Sequence, residues 1–174
     1  MKIAIMGYSG SGKSTLAGKL AAHHACDVFH FDAIQFLPGW EIRDFDEKIQ
    51  MSKEFLDTHD SWVIDGTYSR FHLERRLEEA DLVILMLFNR FNSLYRVTKR
   101  YFMYKNKTRP DMAEGCNEKL DWEFVKWVLR DGRKQKTKEL FQRIQTEYAD
   151  KVVVLKNQRQ LDKWSKEYGL PRTH

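Results

Sequence analysis

Cysteine, proline and long apolar runs are all scarce in this 174-residue chain, and each shortage excludes something. Two cysteines, Cys26 and Cys116, cannot form a disulfide framework, and neither lies in a C-x-x-C pair or a Cys/His cluster with zinc spacing. Both are expected as reduced thiols, and the sequence gives neither a thiolate-activating partner. No apolar run approaches the roughly 18 residues that a membrane-spanning helix needs, so no membrane partner is expected. The opening Met1–Met6 run is too short for a secretory signal, which makes a cytoplasmic location the expectation. Repeats, low-complexity tracts and linkers are absent, so residues 1–174 are expected as one domain. No helix-turn-helix or zinc-finger pattern and no N-K-x-D guanine motif occurs.

Basic charge, in contrast, is concentrated. The chain carries a net +5, but residues Arg90 to Arg143 hold 15 Lys/Arg against 7 Asp/Glu, an excess greater than that of the whole chain. Such a region serves either a nucleic acid or the oxygens of a triphosphate.

The strongest signal is Gly7-Tyr8-Ser9-Gly10-Ser11-Gly12-Lys13-Ser14, a full G-x-x-x-x-G-K-[ST] match. It has the required context, an apolar run Lys2–Met6 before it and a helix-forming stretch Thr15–Ala22 after it. Glycines at 7, 10 and 12 let the backbone curl so that successive N–H groups of Ser9, Ser11 and their neighbours face an anion. The helix N-terminus that follows, through Ser14 and Thr15, adds unpaired N–H groups and a positive dipole end. Lys13 is placed to reach β- and γ-phosphates, and the Ser14 hydroxyl to ligate Mg2+. A nucleoside triphosphate is the expected ligand. A dinucleotide-binding G-x-G-x-x-G reading fails, because Thr15 stands where the third glycine belongs.

Further along, Asp27–Asp32 reads as a strand ending in an acid, Phe36–Trp40 as an apolar loop with a turn, and Asp44 with Glu47 as a capping box opening a helix over 45–57. Trp62–Gly66 is a strand that again ends in an acid, Asp65, and Leu82–Phe88 is apolar throughout, as a strand covered on both faces requires. A basic helix over 93–104 places Arg96 and Arg100 one turn apart. Pro110 and Gly115 break the periodicity, predicting a lid insertion over about 106–119 that carries Arg109. One bent or two separate helices follow to residue 148, with Trp122, Val125 and Leu129 on one stripe and both Trp122 and Trp127 expected as buried packing. Val152–Leu155 is the fifth strand, and a closing helix runs over 160–168. Five strands alternating with helices predict a doubly wound α/β fold with a parallel five-stranded sheet, a P-loop NTPase arrangement of the nucleoside monophosphate kinase kind.

The phosphate loop, Phe36–Trp40, Ile64–Ser69 and Thr108–Cys116 together resemble the bacterial P-loop proteins catalogued as DNA topology modulation proteins, over nearly the whole chain. More broadly the chain is similar to the adenylate kinase and shikimate kinase group. The first resemblance implies an influence on DNA supercoiling, and the second implies a small-molecule kinase using ATP and Mg2+. Adenylate kinases carry D-G-F-P-R after their third strand, so Asp65-Gly66 implies that Asp65 holds magnesium through water; Arg70 falls one residue later than that motif's arginine. Their R-x-x-x-R pair matches Arg96 and Arg100, which implies contacts to adenine and triphosphate. Asp32 resembles the shikimate kinase acid that orients the acceptor hydroxyl. The two-aspartate lid motif of adenylate kinases is absent here.

Phosphoryl transfer needs positioned cations and an in-line acceptor more than covalent help. Lys13, Arg96, Arg100, Arg109, Arg130 and Arg133 are the candidate cations, each set against the alternative of a solvated basic face. Asp65 serves magnesium or caps the next segment, and Asp32 serves an acceptor or is a solvated acid. Trp40 and Tyr68 stack on an acceptor or pack a core, and His30 lines the site or is structural. The acceptor, a nucleotide, nucleoside or small metabolite, is expected between Asp32, the 36–40 loop and Arg70. The alternative is a nucleic-acid-associated regulatory NTPase. The sequence carries no signal for oligomeric state.

Overall fold

The two-residue alternation of a strand decides which face of a sheet each side chain covers, and here it sorts the core into two layers. A computed structural model describes residues 1–105, 107–109 and 111–171. Its strands are β1 (Lys2–Gly7), β2 (Asp27–His30), β3 (Phe36–Leu37), β4 (Glu41–Ile42), β5 (Trp62–Asp65), β6 (Leu82–Met86) and β7 (Val152–Leu155). Its helices are α1 (Lys13–His24), α2 (Phe31–Gln35), α3 (Phe45–Thr58), α4 (Leu73–Glu79), α5 (Arg90–Tyr104), α6 (Trp122–Leu129), α7 (Gln135–Glu147) and α8 (Gln158–Glu167).

Five strands form one parallel sheet in the order β2-β5-β1-β6-β7. This is a doubly wound α/β fold of the P-loop NTPase type. On one face Ala4, Met6, Trp62, Ile64, Val83 and Leu85 meet Leu56 of α3, Leu77 of α4 and Phe141 and Ile144 of α7. On the other, Ile3, Ile5, Val63, Ile84 and Met86 meet Leu16 and Leu20 of α1 and Leu161 of α8. Each fully buried Leu or Ile contributes about 1.5–3 kcal/mol, so the alternation within β1 alone binds helices to both faces.

β1 lies at the centre, between β5 and β6, and its carboxyl end opens into the phosphate loop. That edge is where chain connections leave the sheet in opposite directions and leave a crevice. Asp44 caps α3 by accepting from the N–H groups of Asp46 and Glu47, at 2.9 and 3.2 Å.

Several expectations need correction. β2 ends at His30, so Asp32 sits in the first turn of the short helix α2 and not at a strand end. The 36–42 segment is an antiparallel hairpin of β3 and β4 around a Pro38–Trp40 turn, because Gly39 and Trp40 both adopt positive φ (79° and 69°) and reverse the chain. Of the two alternatives expected for the stretch up to residue 148, the chain takes the divided one, with α6 and α7 separated by a 3-10 turn at Asp131–Arg133. Val128 is the buried residue of α6, while Trp122 is 76% exposed and Trp127 50% exposed, so neither tryptophan is core packing. Asn106 and Pro110, at the start of the expected lid, lie outside the described residues. Among the described residues no helix is long and apolar enough to cross a membrane.

Candidate functional site

The phosphate loop is fixed by its neighbours before any ligand is considered. The Thr67 hydroxyl accepts from Gly7 N–H at 2.9 Å and donates to Gly7 carbonyl at 3.1 Å, tying the loop after β5 to the end of β1. Gly10 has φ 75°, and a Cβ there would stand 2.7 Å from the Ser93 carbonyl oxygen and from Val97 Cγ1. Only glycine allows α5 to approach so closely. Gly12, at φ 95°, forms the left-handed N-cap from which α1 starts, and its missing Cβ leaves room for the Arg96 guanidinium.

Lys13 Nζ donates to the Tyr8 carbonyl at 3.1 Å. Among the described residues no carboxylate lies within ion-pair reach of it. Burial pushes its pKa down, against the opposing charges of Asp65 and Asp32. A desolvated ammonium that meets a carbonyl and no counter-charge is a site that an anion would complete. Ser11 is fully buried, and its hydroxyl has no partner among the described residues.

Gly7, Ser9, Gly10, Gly12, Lys13, Ser14 and Thr15 line a cleft of about 1970 Å³. Arg96, Arg100, Arg109 and Asp32 line the same cleft. Asp65, 1% exposed, lies behind it, with its Oδ2 at 3.0 Å from His30 Nδ1. Burial lowers the His30 pKa, but the bond to Asp65 and the charges of Asp65, Asp111 and Asp32 outweigh it and leave the imidazole raised. Tyr68 OH donates to Asp32 Oδ1 at 2.8 Å, while its ring packs on Phe31 and Phe71. Burial first, then Asp32 and Asp65, push the Tyr68 pKa well up, so the phenol stays a donor.

Arg100 of α5 and Arg109 share one carboxylate. Buried Glu118 accepts from Arg100 Nε at 2.8 Å, and its other oxygen lies 2.7 Å from Arg109 Nε, close in charge but off the N–H axis. Arg109 also donates to Asp111 at 2.7 Å. Opposite them the hairpin meets the lid: Trp40 Nε1 donates to the Asn117 carbonyl at 3.1 Å, Lys119 lies over the Trp40 ring, and Cys116 Sγ donates to the Leu37 carbonyl at 3.3 Å. Both cysteines are free thiols.

Three candidate cations lie elsewhere. Arg130 is exposed at the end of α6 and does not line the cleft, because its 3-10 continuation turns the chain away. Arg133 is consumed structurally: it donates to the Val128 and Phe88 carbonyls and the Ser93 hydroxyl, and its guanidinium lies 3.9 Å from the Tyr8 ring centre. Arg70 is exposed and outside the cleft lining; the buried arginine of that region is Arg76, which donates to the Gly66 and Tyr68 carbonyls and braces the loop after β5.

The sequence reading missed the His30–Asp65 and Tyr68–Asp32 pairs, the Glu118 carboxylate, and Trp127, whose indole donates to the Ser9 hydroxyl at 3.1 Å. Only the two strand-end acids gave any signal for the pairs.

No protein-family model and no curated protein matches this chain. Among solved structures it is similar to a deoxyadenosine kinase from M. mycoides with bound dCTP, at 17% identity and a TM-score of 0.49 over 97% of this chain and 98% of that one. It is also similar to an uncharacterized protein from Eubacterium ventriosum, at 14% identity and a TM-score of 0.46, over 96% and 98%. At these levels the likeness concerns the course of the chain and says nothing of the acceptor.

Proposed function

We propose that the protein is a Mg2+-dependent phosphotransferase that moves the γ-phosphate of ATP to a small acceptor. The observation that carries this reading is that one cleft is lined both by the phosphate loop and by the Asp32–Tyr68 pair. Its volume exceeds the roughly 300–1,000 Å³ of a single small-molecule pocket, which supports two substrates bound face to face.

In this reading Gly7 to Thr15 cradle the triphosphate, whose oxygens supply the counter-charge that the Lys13 ammonium lacks, and Arg96 beside Gly12 closes over the loop. Arg96 also hydrogen-bonds Gln158 at the start of α8, which supports a base site against the residues after β7. Ser14 and Asp65 are the residues that would hold Mg2+: the Ser14 hydroxyl lines the cleft and would ligate the ion directly, and the Asp65 carboxylate, behind the cleft, would hold it through water. Mg2+ when bound neutralises phosphate charge. Asp32, oriented by Tyr68, accepts the hydrogen bond or proton of the acceptor hydroxyl. The segment over about 106–119 acts as a lid that brings Arg109 to the transferred group, beside Arg100 of α5, and excludes water.

The alternative, an action on DNA topology, requires a track of available cations. Arg96, Arg100 and Arg109 of the basic region instead line the cleft beside the phosphate loop, and Arg133 is engaged by the Val128 and Phe88 carbonyls, which supports the small-molecule reading. The test is ADP release from ATP against a panel of nucleosides, nucleotides and small hydroxyl metabolites: acceptor-dependent release is expected, and its absence with every compound would remove the reading.

A further inference from the structure

The acceptor half of the cleft has a charge pattern that selects among acceptors. It is bounded by α2, the β3–β4 hairpin, the loop 66–69 after β5, and the lid. A phosphorylated acceptor needs cations there that are not already spoken for. Those elements and the helices behind them supply few. Arg43 donates to the Ile34 carbonyl and pairs with Glu47; buried Lys48 donates to Gln35; Arg76 is locked onto two carbonyls. Within the cleft wall, His30 is paired to Asp65, Arg109 carries both Asp111 and Glu118, and Lys119 sits over Trp40 with Asp121 at 3.5 Å. Arg70, which the sequence offered for an acceptor phosphate, is exposed and outside the lining.

Negative groups are better supplied. Asp111 is matched by Arg109 and Asp65 by His30, but Asp32, which lines the cleft, has one oxygen taken by the Tyr68 hydroxyl and no cation within ion-pair reach among the described residues. Apolar rings complete the wall: Phe36 and Trp40 stand edge to face at 5.0 Å on the hairpin and, with Tyr68, line the cleft. Both rings of the hairpin are half-buried, so each keeps surface with which to contact a ring-bearing partner.

We infer that the acceptor is an uncharged hydroxyl compound bearing a flat ring, of the nucleoside class, and not a phosphate monoester. The inference rests on the phosphotransfer reading. The transfer is balanced within that reading: the acceptor O–H gives its proton to Asp32, its oxygen bonds to the γ-phosphorus, and the bond from that phosphorus to the bridging oxygen of ADP breaks.

The test uses the intact protein with ATP and Mg2+ and matched pairs of acceptors, each nucleoside beside its own 5′-monophosphate. A like charge forced beside Asp32 and Asp111 is costly, so kcat/KM is expected to favour the nucleoside by at least ~10-fold in the preferred pair. Asp111→Asn, which removes one carboxylate and loosens Arg109, is expected to narrow that ratio. Equal or better use of the monophosphate overturns the inference and leaves the phosphotransfer reading standing. Turnover with neither member of any pair, where a small hydroxyl metabolite is phosphorylated, overturns the inference alone; no acceptor-dependent ADP release with any compound, with ATP binding intact by calorimetry, removes that reading and the inference with it.

Discussion

The Tyr68 hydroxyl donates to Asp32 Oδ1 at 2.8 Å, from a ring packed against both Phe31 and Phe71, which also stack on each other. The bond fixes the carboxylate from behind and leaves its second oxygen for the cleft. Each partner comes from a different element, Asp32 from α2 and Tyr68 from the loop after β5, so the pair exists only in the folded chain. Tyr68→Phe keeps the ring and deletes the donor. It is expected to lower kcat by about 10-fold while costing only about 1 kcal/mol of stability. Steady-state rates and urea unfolding of the same preparation check both halves.

Glu118 holds Arg100 and Arg109 together from a nearly buried position. Glu118→Gln removes the charge that neutralises two close guanidiniums. Backbone amides over 111–119 are then expected to exchange hydrogen at least about 10-fold faster, because local opening becomes easier by more than about 1.4 kcal/mol. Amides of β1 and β5 serve as the internal reference and are expected to keep their rates.

His30 is paired with Asp65, and its pKa is raised in the folded protein. A raised value means the folded state binds the proton more tightly than the unfolded chain does. The pair therefore contributes its full stability below about pH 6.5, the unfolded value. The contribution is lost as pH rises through the raised, folded value. Urea unfolding of the nucleotide-free protein from pH 5 to 9 is expected to show this fall, and His30→Gln is expected to flatten it.

Much of the fold was legible because strands and helices of this type announce themselves locally. The apolar run of β6, the alternation in β1 and the capping box at Asp44 each carry their own periodicity or turn chemistry. The phosphate loop was legible for the same reason, since all of its residues are consecutive. Residues that meet across the sheet edge were not. Nothing in the spacing joins His30 to Asp65 or Glu118 to Arg100, because those contacts depend on β2 lying beside β5 and on how the lid folds back over α5. Trp122 and Trp127 misled for a physical reason as well: composition favours burial of large rings, but α6 buries Val128, leaves Trp122 exposed and turns Trp127 toward the phosphate loop. Arg130 and Arg133 misplaced the positive charge, since the 3-10 turn at Asp131–Arg133 sends one to solvent and the other under Tyr8.

The account depends on transfer of the γ-phosphate from a triphosphate held by Lys13. The most direct measurement is mass spectrometry of the acceptor pool after incubation with ATP labelled with heavy oxygen in its γ-phosphate. The labelled phosphate is expected on the acceptor with the natural protein, and a decrease of at least about 100-fold is expected with a folded Lys13→Ala variant, as loss of a buried cation facing the transferred group implies. Label recovered only as inorganic phosphate, or transfer undiminished in Lys13→Ala, would contradict the account.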